Sequence, residues 1–236
     1  MKTFDRYKYV INYFTENFQN AETELYYTTP YELLVAVVLS AQCTDKRVNM
    51  HTPAIFRDFP TPAILASTDF DTLFPYIKSI SFPSNKTKNL IGLGKVLTLQ
   101  FNSEVPSEIE NLVKIPGVGR KTANVIASVI FNKPAMAVDT HVFRVSKRIG
   151  LVDEKLKTPL EVEKVLMKNI PTKYVAEAHH WLILHGRYTC VARSPKCAAC
   201  GLTSCCKYFE LASKGKTMDI VAINKKKKPN LLAKHL

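Results

Sequence analysis

The stretch VKIPGVGRKTANVI, Val113 to Ile126, places one proline and two glycines between two apolar runs. Pro116 cannot continue a helix begun upstream. Gly117 and Gly119 tolerate positive φ and leave no side chain in the way. A short helix over about 107–114 and a longer one from about Arg120 are therefore expected, joined by a tight turn. The backbone N–H groups of Gly117, Val118, Gly119 and Arg120 would then point outward at the mouth of the second helix, an anion site built from main chain. The plain alternative is a helix–turn–helix corner with no ligand. A dinucleotide fingerprint is excluded, because no strand precedes the turn and no third glycine follows at the required step. Lys121 sits where the helix dipole mildly disfavours a cation. Either a phosphate lies nearby, or the lysine is used as a neutral amine.

Outward from this turn, helix-start signals recur and strand signals do not. TPYE (Thr29–Glu32) and TPLE (Thr158–Glu161) read as capping boxes with proline at the first helical position. SEIE (Ser107–Glu110) repeats the box, and TPAIL from Thr61 opens another helix. Gly150 and Gly186 follow periodic apolar segments and are expected to end helices in the left-handed conformation. Val142, Val145 and Ile149 share one helical face, as do Val162, Val165 and Leu166. The fold class is all-α, with about ten helices expected from the spacing of these signals.

The 236 residues suffice for one large domain or two small ones, and 46% apolar content supports a real core. A net charge of +13 makes nucleic acid the first candidate partner. Eight of the lysines lie from Lys207 onward, with KKKK at Lys225–Lys228 followed by Pro229. That stretch reads as a basic tail adding salt-sensitive attraction to DNA. The N-terminus lacks the apolar core of a signal peptide. The longest apolar run, Leu33–Leu39, is far shorter than the roughly 20 residues a membrane span needs. An intracellular location, cytoplasm or nucleoid, is expected, with no membrane partner and a monomeric state.

In a reducing compartment the six cysteines argue for metal or catalysis before disulfides. CVARSPKCAACGLTSCC gathers Cys190, Cys197, Cys200, Cys205 and Cys206 into one string. Four thiolates so close repel one another unless a cation neutralises them. Zinc sites usually show two separated short pairs, whereas a string with one close pair and two wide arms suits an iron–sulfur cluster. Spacing leaves the choice between Cys205 and Cys206 open. Arg193 and Lys196, between the first two cysteines, either meet phosphates or form a solvated loop. Cys43, on the apolar LSAQC helix, reads as a small buried side chain. His179, His180 and His185 lie beside Trp181 on an otherwise apolar helix and read as packed or hydrogen-bonding groups. Asp139, in VDTHVF, reads by itself as a helix N-cap.

LSAQCTD, IPGVGRKTANVI, AVDTHVFRVSKRIG, HHWLILHGRYTC and the cysteine string, taken together and in this order, resemble endonuclease III, the helix–hairpin–helix DNA glycosylase family with a [4Fe-4S] cluster. The resemblance runs from about Pro30 to Cys206. It implies that Lys121 is the catalytic lysine, Asp139 the catalytic aspartate, and Cys190, Cys197, Cys200 and Cys206 the cluster ligands. It places on Gln42 the glutamine that fills the gap left by an extruded base. Where the family commonly shows a Gly-Leu-Tyr-Asn wedge, this chain has SFPS, Ser81–Ser84, and Phe82 becomes the candidate for intercalation. The implied fold is a six-helix barrel, 23–133, containing the helix–hairpin–helix at about 107–126. A second domain would combine 1–22 with 134–210 and carry the cluster, and 211–236 would form the tail. The DNA cleft would lie between the domains.

The implied function is a bifunctional DNA glycosylase and abasic-site lyase of base excision repair acting on oxidised pyrimidines in duplex DNA. The flipped nucleotide would be attacked at C1′ by the free amine of Lys121. The helix N-terminus, partial burial and nearby Arg120 are expected to favour that free amine. Asp139 would stabilise positive charge on the sugar and assist proton transfer. Two rivals stand beside it: the related adenine-mismatch glycosylase, and a non-enzymatic DNA-binding module stabilised by metal. The first lacks a lysine after GVGR and carries a glutamate on the LSAQCTD helix. The pairing of Lys121 with Asp139 argues against the second.

Overall fold

Side-chain caps start many of the helices in the computed structural model, which describes residues 2–18 and 22–215. The Thr29 hydroxyl accepts from the Glu32 amide, opening α2 (Pro30–Ser40) after α1 (Thr3–Asn17). Thr44 opens α3 (Asp45–Asp58), Thr61 opens α4 (Pro62–Ser67) and Asp69 opens α5 (Phe70–Ile77), each by accepting a first-turn N–H. The chain continues with α6 (Pro83–Gln100), α7 (Ile109–Leu112), α8 (Arg120–Val129) and α9 (Thr140–Ile149). It then forms α10 (Pro159–Asn169), α11 (Val175–Tyr188) and α12 (Lys207–Ser213). The architecture is all-α, with no strand among the described residues and two more helices than the caps suggested. No described helix is long and apolar enough to cross a membrane.

Two sequence expectations fail for local reasons. SEIE is not a capping box: α7 begins at Ile109, Glu108 stands at its N-cap without a side-chain cap, and the Ser107 hydroxyl donates to the Glu108 carboxylate instead. Gly186 does not end a helix but lies inside α11. A Cβ there would stand 2.8 Å from the Cβ of His141 and 3.1 Å from Val145 Cγ2, so Gly186 serves close packing against α9. Gly150, at φ 89°, does end α9 as expected.

The chain divides into two units. One comprises Phe18–Ala137 together with Ile170–Trp181, so Ile170–Trp181 groups apart from 138–169. Its core forms around α2, where Leu33, Leu34, Val35, Ala36 and Leu39 are fully buried. A helix apolar all round must be covered all round. Val48 and Ile55 of α3, Leu73 and Ile77 of α5, Leu90, Leu93 and Leu97 of α6, and Ala123 and Ile126 of α8 join it in one apolar cluster.

The other unit comprises the described residues of Met1–Asn17, Val138–Asn169 and Leu182–Leu236. Here Val142, Phe143, Val145 and Ile149 of α9 are buried. Arg6 of α1 is buried too, donating from Nε to the Cys205 carbonyl (2.8 Å) and from Nη1 to the Gly150 carbonyl (3.2 Å). Tyr7 Oη donates to the Leu151 carbonyl at 2.9 Å. The N-terminal helix is thereby tied to the end of α9 and to the cysteine string. Lys225–Lys228 and the rest of the basic tail beyond Gly215 lie outside the described residues.

Candidate functional site

The hairpin is wound by short-range bonds. Lys114 N–H donates to Asn111 O, Ile115 N–H to Leu112 O, and Val118 N–H to Ile115 O at 3.0 Å. Val118 is buried and its amide already partnered, so it does not join an outward-pointing amide row. Gly117 sits at φ 81°, and a Cβ there would press to 3.0 Å on Asn89 Cβ and Val38 Cγ1. Gly119 is extended rather than left-handed, at φ −88° and ψ 174°. Its use is different: nothing stands within 4 Å of where its Cβ would be, so another molecule can approach the backbone closely. Gly119 brings no side-chain cap to α8. The first turn, carrying the exposed Arg120 and Lys121, therefore keeps the anion affinity of a helix N-terminus.

Lys121 is exposed rather than partly buried as expected. Its charge acts on His179, a ring 1% exposed whose Nδ1 has no hydrogen-bond partner. Burial first, then His180 and Lys121, hold the His179 imidazole neutral, with its pKa pushed down to about 3. His179 and His180 face each other edge to face at 5.1 Å.

Gln42 is not on a helix, because α2 stops at Ser40. Gln42 and Phe82 are both exposed and both left-handed, at φ 55° and 56°. Non-glycine residues adopt that conformation at a cost and keep it only where the surroundings hold them. Ser81 Oγ donates to the Gln42 carbonyl at 2.8 Å. The buried Lys86 donates from Nζ to the carbonyls of Leu39 (2.8 Å) and Ala41 (2.7 Å). No sequence signal marked Lys86, which looks like any surface lysine in NKTKN. Cys43 follows the turn, half-buried against the core rather than on a helix.

In the other unit, Asp139 is the N-cap of α9. Its Oδ1 accepts from the amides of His141 and Val142, both at 2.8 Å. The capping reading of this residue is thus structurally correct. One carboxylate oxygen carries both bonds, leaving the second outside them.

Cys190, Cys197, Cys200 and Cys206 line one pocket, together with His185, Ile149 and Tyr208. Burial raises the thiol pKa values of Cys197, Cys200 and Cys206, and neighbouring cysteines raise them further. Cys205 does not line the pocket; it is buried, with its thiol donating to Leu202 O. Arg148 brings a cation to the string: Nη1 lies 3.6 Å from Cys190 Sγ, and Nη1 and Nη2 donate to the Val191 and Ala192 carbonyls at 2.7 Å. His185 Nε2 is 3.7 Å from Cys200 Sγ. Nothing in the sequence marked Arg148, which sits in an α9 rich in basic residues. Arg193 and Lys196 are exposed on the loop between the first two cysteines.

Residues 35–172 match the model of the HhH-GPD superfamily of base excision DNA repair proteins. Endonuclease III of Rickettsia conorii is 48% identical over 200 residues, which cover 85% of this chain and 94% of that protein. Endonuclease III of Bacillus subtilis is 49% identical over 80% of this chain and 86% of its own length. Among solved structures, a trapped covalent intermediate of endonuclease III with DNA superposes with a TM-score of 0.84 at 44% identity, covering 90% of this chain and all of that one. On these likenesses the chain belongs to the endonuclease III family of the HhH-GPD superfamily.

Proposed function

We propose that this member of a base excision repair family, a DNA glycosylase and abasic-site lyase acting on damaged duplex DNA, removes oxidised pyrimidines through Lys121. The observation that carries the proposal is the placement of Lys121: exposed, on the first turn of α8, directly after a hairpin whose Gly119 leaves the backbone open. A relative of 44% identity has been trapped as a covalent intermediate on DNA.

The steps follow from the side chains. The first turn of α8 and Arg120 hold backbone phosphate, while Gln42 and Phe82 fill the space an everted nucleotide leaves. An ammonium has no lone pair, so Lys121 reacts as the free amine. Its nitrogen bonds to C1′ and the base departs. The sugar ring opens to an imine, and loss of a C2′ proton expels the 3′ phosphate. The uncapped oxygen of Asp139 stabilises positive charge on the sugar and moves the proton on or off the amine. Arg193 and Lys196 supply further phosphate contacts.

Cys190, Cys197, Cys200 and Cys206 would hold a [4Fe-4S] cluster. Supporting this, the four thiols line one pocket from which Cys205 is excluded. A single string with one close pair and two wide arms suits such a cluster better than zinc. When bound, the cluster supplies a rigid cross-link that fixes the loop bearing Arg193 and Lys196.

Borohydride reduction during incubation with thymine-glycol duplex tests the reaction. A covalent protein–DNA adduct is expected, absent in Lys121→Gln. Failure of wild type to form an adduct on any oxidised-pyrimidine or abasic duplex refutes it. Iron and sulfide, rather than zinc, are the expected metal content.

A further inference from the structure

The departure SFPS points to a positioning device absent from a Gly-Leu-Tyr-Asn wedge. We infer that the Ser81 hydroxyl is a latch that holds the Gln42 turn and the Phe82 turn in one fixed relation, so that both side chains enter the DNA stack together. The inference rests on the reading of Gln42 and Phe82 as the residues that fill the vacated space.

Gln42 and Phe82 come from turns 40 residues apart in sequence, and each is held left-handed without being glycine. Such a conformation stays populated only if its surroundings over-determine it. Two ties do so on the Gln42 side. Lys86 Nζ holds the Leu39 and Ala41 carbonyls, at the end of α2 and the entry to the turn. Ser81 Oγ holds the carbonyl of Gln42 itself at 2.8 Å. Ser81 immediately precedes Phe82, which in turn is the N-cap of α6 with Pro83 at its first position. The bond from Ser81 therefore joins the two turns directly, beside the tie from Lys86 of α6 to the Ala41 carbonyl. A glycine at 81 has no hydroxyl and cannot make it. Burial does the rest: Lys86 and Thr87 at the start of α6 are buried, and the Thr87 hydroxyl donates back to the Pro83 carbonyl at 2.9 Å. The wedge turn is thereby anchored to α6 from below and to the α2 end from the side. Preorganisation of this kind appears as affinity for the distorted duplex, because the ordering cost is met before binding.

The test uses the full-length protein and two duplexes. One carries a tetrahydrofuran abasic analogue opposite 2-aminopurine; the other is undamaged. Ser81→Ala is expected to weaken binding to the analogue about threefold or more, leave affinity for undamaged DNA unchanged, and reduce the 2-aminopurine fluorescence increase. Ser81→Thr, which keeps the hydroxyl, restores both readouts. In a Gln42→Ala background, Ser81→Ala has a smaller effect, because the latch acts partly through the Gln42 side chain. Equal loss of affinity for both duplexes, or failure of Ser81→Thr to rescue, overturns the latch. If Gln42→Ala and Phe82→Ala bind the analogue as wild type does, the reading of the insertion residues fails and the latch falls with it. If those two variants lose affinity while Ser81→Ala does not, the latch alone is wrong.

Discussion

One oxygen of the Asp139 carboxylate already accepts two amides, and this decides how the residue can be replaced. Asparagine retains a capping oxygen but no charge. Asp139→Asn should therefore keep stability within about 0.5 kcal/mol while activity falls by roughly 10²-fold or more. Asp139→Ala should show the same loss of activity and also lose about 1 kcal/mol of stability with the cap. Denaturant titration beside single-turnover base release separates the two effects. His179 sets a second residue-scale expectation. Its folded pKa lies far below the value of about 6.5 it has when unfolded. Below pH 6.5 the unfolded chain binds a proton that the folded one refuses. Its contribution is thus complete above pH 6.5 and is lost as the pH falls toward 3, at up to about 1.4 kcal/mol per pH unit. His179→Gln should flatten the acid limb of the stability profile, and an unchanged slope would show that His179 is not its source.

Among the elements, α9 and α11 meet at Gly186, where helix propensity and packing oppose each other. Alanine in a helix gains about 1 kcal/mol over glycine. The added Cβ would stand 2.8 Å from His141 Cβ, an atom fixed to its own backbone, so the helices must part. Such overpacking costs roughly 1–3 kcal/mol. Gly186→Ala should accordingly be net destabilising, lowering Tm by a few degrees. Mistaking Gly186 for a helix end shows what the sequence withheld: glycine looks the same whether it bends backbone or admits a neighbour. The cysteine string yields a second element-scale test. Cys206→Ser should lose iron and colour, while Cys205→Ser, outside the pocket, should keep both. Retention of iron by the first and loss by the second would reassign the fourth ligand.

At the scale of the whole molecule, the +13 charge is spread well beyond the hairpin. Binding to undamaged duplex should weaken roughly 10³-fold between 50 and 200 mM salt if about six phosphates are neutralised. Replacing Lys225–Lys228 with glutamine should lower the log–log salt slope without altering the preference for damaged over undamaged DNA. A change in lesion preference would mean that those lysines do more than attract a polyanion.

The sequence by itself determined the fold class, the starts of α2, α4, α8, α9 and α10, the Lys121 hairpin and the gathering of the cysteines into one string. Each of these is set by chemistry within a few residues: a cap and its amide, a proline and the turn before it, thiolates too close to stand alone. Only the tertiary structure decided what depends on neighbours distant along the chain. Cys206 rather than Cys205 faces the pocket because Arg6 and α1 tie down the Cys205 peptide. Lys86 is an interior cap rather than a surface charge because α6 lies against the end of α2. The turns bearing Gln42 and Phe82 are tied together because the Ser81 hydroxyl donates to the Gln42 carbonyl, 39 residues away in sequence. Local chemistry favours such conformations weakly or not at all, and contacts between remote segments supply the rest.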